Sequence, residues 1–162
     1  MLVSGVALGL AAGLAFGGRW ARLAQLPIRW LPLLLAALAI RLVGLFVPFS
    51  LPLYLAALVA TAAAAAANRH LPGAFAIAAG SALNAAIVAL NGGMPVDPHA
   101  AETASMTLFA GDRLHVPLTD ATVLPFLADV IPIPIVRGVY SVGDVVIAAG
   151  GFWLPFAWLR RT

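Results

Sequence analysis

No acidic side chain occurs before Asp97 or after Asp144. All six carboxylates, Asp97, Glu102, Asp112, Asp120, Asp129 and Asp144, share one stretch of the chain. The residues on either side must therefore fold almost without ion pairs, through long apolar runs that drive each other out of water. Hydrophobic residues make up 63% of the sequence and charged residues 9%. A soluble domain carries about 45–50% and about 25%. The imbalance points to a chain whose solvent is a bilayer, and a length of 162 residues suits one compact unit, 1–162.

Cysteine is absent, which excludes disulfides, thiolate catalysis and Cys-ligated metals. Every basic residue is arginine, and the net charge is +3. A basic chain raises nucleic acid as a partner, but arginines scattered at helix ends form no basic stripe. The expected partner is the lipid bilayer, and no nucleic acid.

Five apolar runs read as membrane-spanning helices, at about 1–17, 31–47, 52–67, 74–90 and 142–159. No positive residue precedes the first run, so it reads as a retained span and not a cleaved signal. Gly5, Gly9, Gly13 and Gly17 recur at every fourth position and line one face where another helix can approach closely. That face is the expected contact for a second copy of the chain or a membrane-protein partner; within the chain, the Ala-rich half of the third run is a candidate for it. Arg19, Arg22 and Arg29 with Trp20 and Trp30 mark an interfacial loop. Arg41 lies well inside the second run. It either snorkels outward or pairs with a carboxylate. A turn at 48–52 leads into the third run, and His70 beside Arg69 reads as a solvated interfacial histidine.

Ser81, Asn84 and Asn91 share one face of the fourth run. Buried amides in lipid need partners, so this face turns into the bundle, where interhelical hydrogen bonding is its simplest role. In the last run Asp144 falls in the first turn and Arg160 and Arg161 at the end, each where the helix dipole favours it. Trp153 and Trp158 lie toward that end, and Pro155 is a candidate kink.

The connection 91–141 is different in kind. Asn91-Gly92-Gly93 offers a left-handed helix end, and Pro95 forbids continuation. Asp97-Pro98 reads as an N-cap followed by proline at the first helical position, opening a short helix over 98–109 that Gly111 ends. Ala101, Ala104 and Leu108 on one side suggest that this helix lies flat on the membrane surface. A polar loop at 112–120 carries Arg113 and His115. The apolar segment 123–140 is interrupted by Pro125, Pro132, Pro134 and Gly138, so it cannot be one continuous span. It reads as re-entrant or interfacial. The expected fold class is thus an all-α integral membrane protein, a bundle of about five transmembrane helices with an extracytoplasmic loop.

Arginines set the orientation. In a five-span layout Arg19, Arg22, Arg29, Arg69, Arg160 and Arg161 fall on one side, and Arg113 and Arg137 on the other. The positive-inside rule then places the N-terminus outside and the C-terminus in the cytoplasm of a multi-pass cell-membrane protein. The acid-rich connection faces outward.

Motifs that carry a mechanism are missing: no nucleophile elbow, zinc-protease pair, phosphate-binding loop or dinucleotide fingerprint occurs. Asp97, His99, Glu102, Asp112 and His115 offer nitrogen and oxygen ligands, but their spacing fits no metal template. No cofactor or metal is expected. Asp129 and Asp144 stand at the margins of apolar segments, and ionisable groups in such places are functional candidates. Asp144 has a structural alternative as an N-terminal acid on a helix, and both have another as partners of Arg41 or Arg137.

Three boxes, Asn91-Gly92-Gly93-Met94-Pro95-Val96, Leu124-Pro125-Phe126-Leu127-Ala128-Asp129-Val130-Ile131-Pro132 and Ser141-Val142-Gly143-Asp144, resemble the DUF5317 family, small bacterial multi-pass membrane proteins of uncharacterised function. The resemblance spans most of the chain, including the glycine-rich first helix and the arginines after it. Ala128 departs from the glycine expected before the aspartate. The family implies a fold and a location but no reaction.

Three functional readings follow. The first is a structural or interaction component built on the glycine face and the polar face. The second is a small transporter or channel-like protein with a cavity lined by Asp129, Asp144, Arg41, Asn84 and Asn91. The last is an enzyme on a lipid-linked substrate at the outer leaflet, disfavoured because nothing positions a nucleophile.

Overall fold

The computed structural model describes residues 1–43, 51–106 and 114–161. In chain order it builds α1 (Leu2–Ala15), α2 (Leu31–Val43), α3 (Leu51–Ala67), α4 (Ala74–Asn91), β1 (Met94–Val96), α5 (Pro98–Thr103), β2 (His115–Pro117), β3 (Ile131–Ile133), β4 (Gly138–Tyr140) and α6 (Val142–Leu159). The molecule is mostly helical. Helices α4 and α6 are each 18 residues long and apolar enough to cross a membrane; α1, α2 and α3 are apolar but shorter.

The helices form a row in which α6 lies between α1 and α4, with α3 packed on α4 and α2 on α3. Backbone proximity holds the centre of the row together. Gly5, Gly9 and Gly13 are buried. A Cβ at Gly5 would strike the Ala148 backbone, and one at Gly9 the Phe152 backbone. The constant offset means that α1 and α6 run parallel. On the other side of α6, Gly150 meets Gly73 and Gly143 meets Gly80. There the numbering runs in opposite directions, so α4 is antiparallel to α6. Small residues at such crossings let helices gain dispersion contact along their whole length.

Two expectations change here. The partner of the glycine face is α6, not the Ala-rich half of α3, so this face is covered within the chain. Gly17 does not belong to it. Gly17 is exposed just beyond the end of α1 with φ +83°, and it serves to turn the chain in the left-handed region.

The end of the row where α1 and α6 finish is tied by side chains. The Arg22 guanidinium donates to the Leu159 carbonyl at 3.0 Å, and Trp158 Nε1 donates to the Arg22 carbonyl at 2.8 Å. A cation thus satisfies a carbonyl that α6 leaves open at its last turn. Asn68, just past α3, brackets Arg29 by accepting from its N–H and donating to its carbonyl, both at 2.7 Å.

The connection between α4 and α6 corrects the all-α expectation. Strand β1 pairs in parallel with β2, and β3 pairs antiparallel with β4. Pro95 in β1 and Pro132 in β3 prevent a helix from running through these segments. Covered backbone must still find hydrogen-bond partners, and short ladders supply them. Helix α5 opens as expected, with the Asp97 side chain accepting from the His99 N–H at 3.0 Å. It stops at Thr103, well short of 109, because Ser105 turns left-handed at φ +51°. Its alanine face does not lie outward: Ala100, Ala101 and Ala104 pack against Val96 and Val139 of the strands. Leu108, Gly111, Asp112 and Arg113, the turn residues 48–50 and the last residues assigned to the second span, 44–47, lie outside the described residues. The segment 123–140 is not a helix; two 3-10 turns, at 125–127 and 134–136, flank β3.

Candidate functional site

The fourth and sixth helices meet through a polar contact at the N-terminal end of α6. Ser141 caps α6: its Oγ accepts from the Asp144 N–H at 3.0 Å, while the Asp144 carboxylate accepts from the Ser141 N–H at 3.4 Å. This reciprocal box satisfies two backbone donors that a helix start leaves open. From α4, Asn84 Nδ2 donates to Asp144 Oδ1 at 3.1 Å, and Ser141 Oγ donates to Asn84 Oδ1 at 3.0 Å. Asn84 and Ser141 are both buried. Asn84 reaches this position because residue 143 is glycine; a Cβ there would collide with the Asn84 amide. The Ser-Val-Gly-Asp box is thus a helix cap with a slot for a neighbour's side chain.

The Asn-Gly-Gly-Met-Pro-Val box is the other half of the frame. Gly92 ends α4 in the left-handed region at φ +70° and returns its N–H to the Val88 carbonyl. Gly93 gives β2 room, since a Cβ would lie 2.8 Å from the Val116 side chain. The Met94 N–H donates to Leu114 O at 2.7 Å. Pro95 lacks a donor but still accepts, and its carbonyl takes the Asp129 N–H at 2.9 Å. The Asp97 N–H returns a bond to Asp129 O at 3.0 Å. Asp129 is therefore fixed by its backbone to the far edge of β1.

These frames enclose a cavity of about 310 Å³ lined by Arg41, Tyr54, His115, Asp129, Tyr140 and Asp144, with Met1, Met94, Leu114 and Val139 as its apolar wall. Asp129 is 5% exposed, and its Oδ1 has no hydrogen-bond partner among the described residues. Burial, and then the nearby Asp144 charge, push its carboxyl up to about 8. Burial and the same two carboxylates also raise the Tyr140 hydroxyl. Arg41 lies with its guanidinium 5.3 Å from the centre of the Tyr54 ring. Among the described residues it makes no salt bridge with either aspartate.

The structure thus gathers Asp129, Asp144 and Arg41 on one cavity, with Asn84 beside it holding Asp144. It does not gather the others. Asn91 works at the end of α4 as a clamp on residue 123, accepting from the Val123 N–H at 2.9 Å and donating to its carbonyl at 3.1 Å. Arg137 is exposed at a left-handed turn, φ +49°, ahead of β4 and away from the cavity. Among the described residues no three His, Cys, Asp or Glu side chains come together as a metal site requires. Met94 enters the lining from the motif box, whereas Tyr54 and Tyr140 are polar lining residues that sequence reasoning passed over as site residues. One signal was available: the chain has two tyrosines, and both line the cavity.

A family model, described as a family of unknown function (DUF5317), matches residues 22–156. That span contains all three boxes and every polar side chain of the cavity. No curated protein and no solved structure matches the chain.

Proposed function

We propose that this chain, which belongs to the DUF5317 family, is a five-span membrane protein that takes a small polar solute into its cavity, as a simple transporter or channel-like protein does. One observation carries the functional part: among the described residues a buried carboxyl, Asp129, is left without a partner for Oδ1 on a cavity it shares with Arg41 and Asp144. A polar group withdrawn from water and left unpaired costs stability, about 1–3 kcal/mol or more. Groups kept at such cost are found where ligands bind. A purely structural network has no use for it, and the Ser141, Asn84 and Asp144 network beside it is already complete.

Support for the membrane part comes from the apolar helices and from what they leave uncovered. Val3, Leu8, Leu35, Val59, Phe75 and Trp153 are large apolar side chains exposed on helix surfaces. An apolar rim of this extent is expected to face lipid. The arginine distribution favours an outer-side position for the cavity, at the N-terminal ends of α1 and α6. The short helix α1, roughly 20 Å of rise, suits a thin or locally thinned bilayer.

Thermal unfolding of the detergent-purified protein against a panel of small cations, carboxylates and neutral polar solutes tests the reading. A solute that stabilises the wild type and leaves Asp129→Asn unmoved occupies the cavity. A panel in which no class shifts the wild type overturns the proposal.

A further inference from the structure

The chemistry around Asp129 narrows the solute. Its carboxyl holds a buried acceptor atom, Oδ1, that has no hydrogen-bond partner among the described residues. The other carboxylate, Asp144, already accepts from Asn84 and from Ser141. Around Asp129 the titratable and charged neighbours are Asp144 from α6, Tyr54 from α3, Arg41 from α2, His115 from β2 and Tyr140 from β4, with Met1 at the head of α1. Arg41 is directed to the Tyr54 ring. The charge that acts on Asp129 is that of Asp144, which repels. An arriving group is therefore favoured if it is positive, donates through N–H and tolerates an aromatic wall. The placement of Arg41 over Tyr54 shows that aromatic faces here accept a delocalised cation. Hard metal ions fit poorly, since they call for about six or more oxygen ligands, and the described residues offer no such group.

We infer that the cavity binds a small primary ammonium ion at Asp129, and that each cation bound releases one proton from the Asp129 carboxyl. This rests on the cavity being a solute site, as proposed above, and adds the class of solute and its coupling to protons. The exchange balances: a protonated carboxyl and an alkylammonium ion become a carboxylate–ammonium pair, and the proton passes to bulk water. Burial keeps Asp129 protonated at neutral pH when it is alone, with a value of about 8. Arg41 is held at the Tyr54 ring, so the ammonium group supplies an opposite charge at Asp129 itself and draws the value down. A cavity of about 310 Å³ lies at the small end of ligand sites, so the cation is a compact one.

The test is titration calorimetry of the full-length protein in detergent with propylammonium, propionate and propanol. Each titration is repeated in two buffers of different ionisation enthalpy. Propylammonium alone is expected to bind. It should release close to one proton per site at about pH 6.5 and little at about pH 9, with affinity rising roughly tenfold per pH unit until about pH 8. Asp129→Asn should lose both the binding and the release. Should that variant fail to fold, the proton count on the wild type decides by itself. Binding of propylammonium with no proton release at about pH 6.5 overturns the exchange. Binding of propionate or propanol in its place overturns the cation assignment and leaves the solute site standing. Binding by none of the three overturns the inference together with the reading beneath it.

Discussion

Asn84 donates a hydrogen bond across the α4–α6 contact to Asp144 at 3.1 Å, and it does so through the space that Gly143 leaves open. One aspartate of the cavity is thereby committed to holding two helices together, and the other is left over. The division of labour between Asp144 and Asp129 follows from this single contact. It also makes the contact the most sensitive point of the frame.

A methyl group at residue 143 meets the Asn84 amide directly. Gly143→Ala is expected to destabilise the protein by about 1–3 kcal/mol, the usual cost of forcing extra volume into a packed contact. Asn84→Ala should cost a similar amount, because it strips Asp144 and Ser141 of a partner. The double variant should cost clearly less than the sum, since the side chain that the methyl strikes is then gone. Thermal unfolding in detergent measures all three, and strictly additive losses would show that the two residues do not meet.

The pH dependence of stability reads out Asp129. Its folded-state value of about 8 lies above the unfolded carboxyl value of 3.8. The folded protein therefore binds more protons than the unfolded chain across that window. The contribution is fully present below the unfolded value and is lost as pH rises through about 8. The wild type is expected to lose stability from about pH 4 to about pH 8, by a few kcal/mol at most. Asp129→Asn should remove that slope while the rest of the profile stays. Melting temperatures across this range give the answer, and a parallel slope in the variant would assign it to another group.

The helices were legible because apolar length and punctuation act locally. Residue 142 opens α6 because Ser141 and Asp144 form a cap, and Gly92 closes α4 because it can turn left-handed. The ladders were not legible. Three-residue strands carry too little periodicity to register, and the partner of Met94 is His115, across a stretch that includes α5. Part of the site was legible for the same reason as the membrane reading: Asp129, Asp144 and Arg41 are charges in apolar surroundings. Tyr54 was not, because nothing in its local sequence sets it apart until the fold brings residues 41, 129 and 140 around one cavity with it. Arg137 marks the converse failure. The sequence offered it as a partner for either aspartate, and the β3–β4 turn leaves it exposed instead.

The glycines of α1 separate two physical roles that one spacing rule merged. At Gly9 an added methyl meets the Phe152 backbone, which can yield only if α1 and α6 part. At Gly17 it meets nothing, and the cost is the left-handed backbone alone. Gly17→Ala is expected to lose about 1 kcal/mol. Gly9→Ala should lose more, about 2–3 kcal/mol by overpacking, and Gly9→Leu should prevent recovery of folded protein. Equal effects at the two positions, read by thermal unfolding, would mean that α1 does not pack on α6 as described.

The five-span layout proposed above predicts which faces reagents reach. The chain contains no cysteine, so single introduced cysteines report without background. Ala121 is exposed in the connection between α4 and α6, and Arg69 is exposed past the end of α3. If α3 and α4 both cross, an odd number of spans separates residue 69 from residue 121. Ala121→Cys should then react with a membrane-impermeant maleimide in intact cells, and Arg69→Cys only after permeabilisation. Ile135, 95% exposed at the turn between β3 and β4 with Val136 beside it, adds depth to the same map. In the proposed layout this apolar tip belongs at the lipid interface. A fluorophore on Ile135→Cys in lipid nanodiscs should therefore be quenched by nitroxide placed near the headgroups, and one on Ala121→Cys should not. Labelling of residues 69 and 121 from the same side would rule out the layout, and with it the outward placement of the cavity.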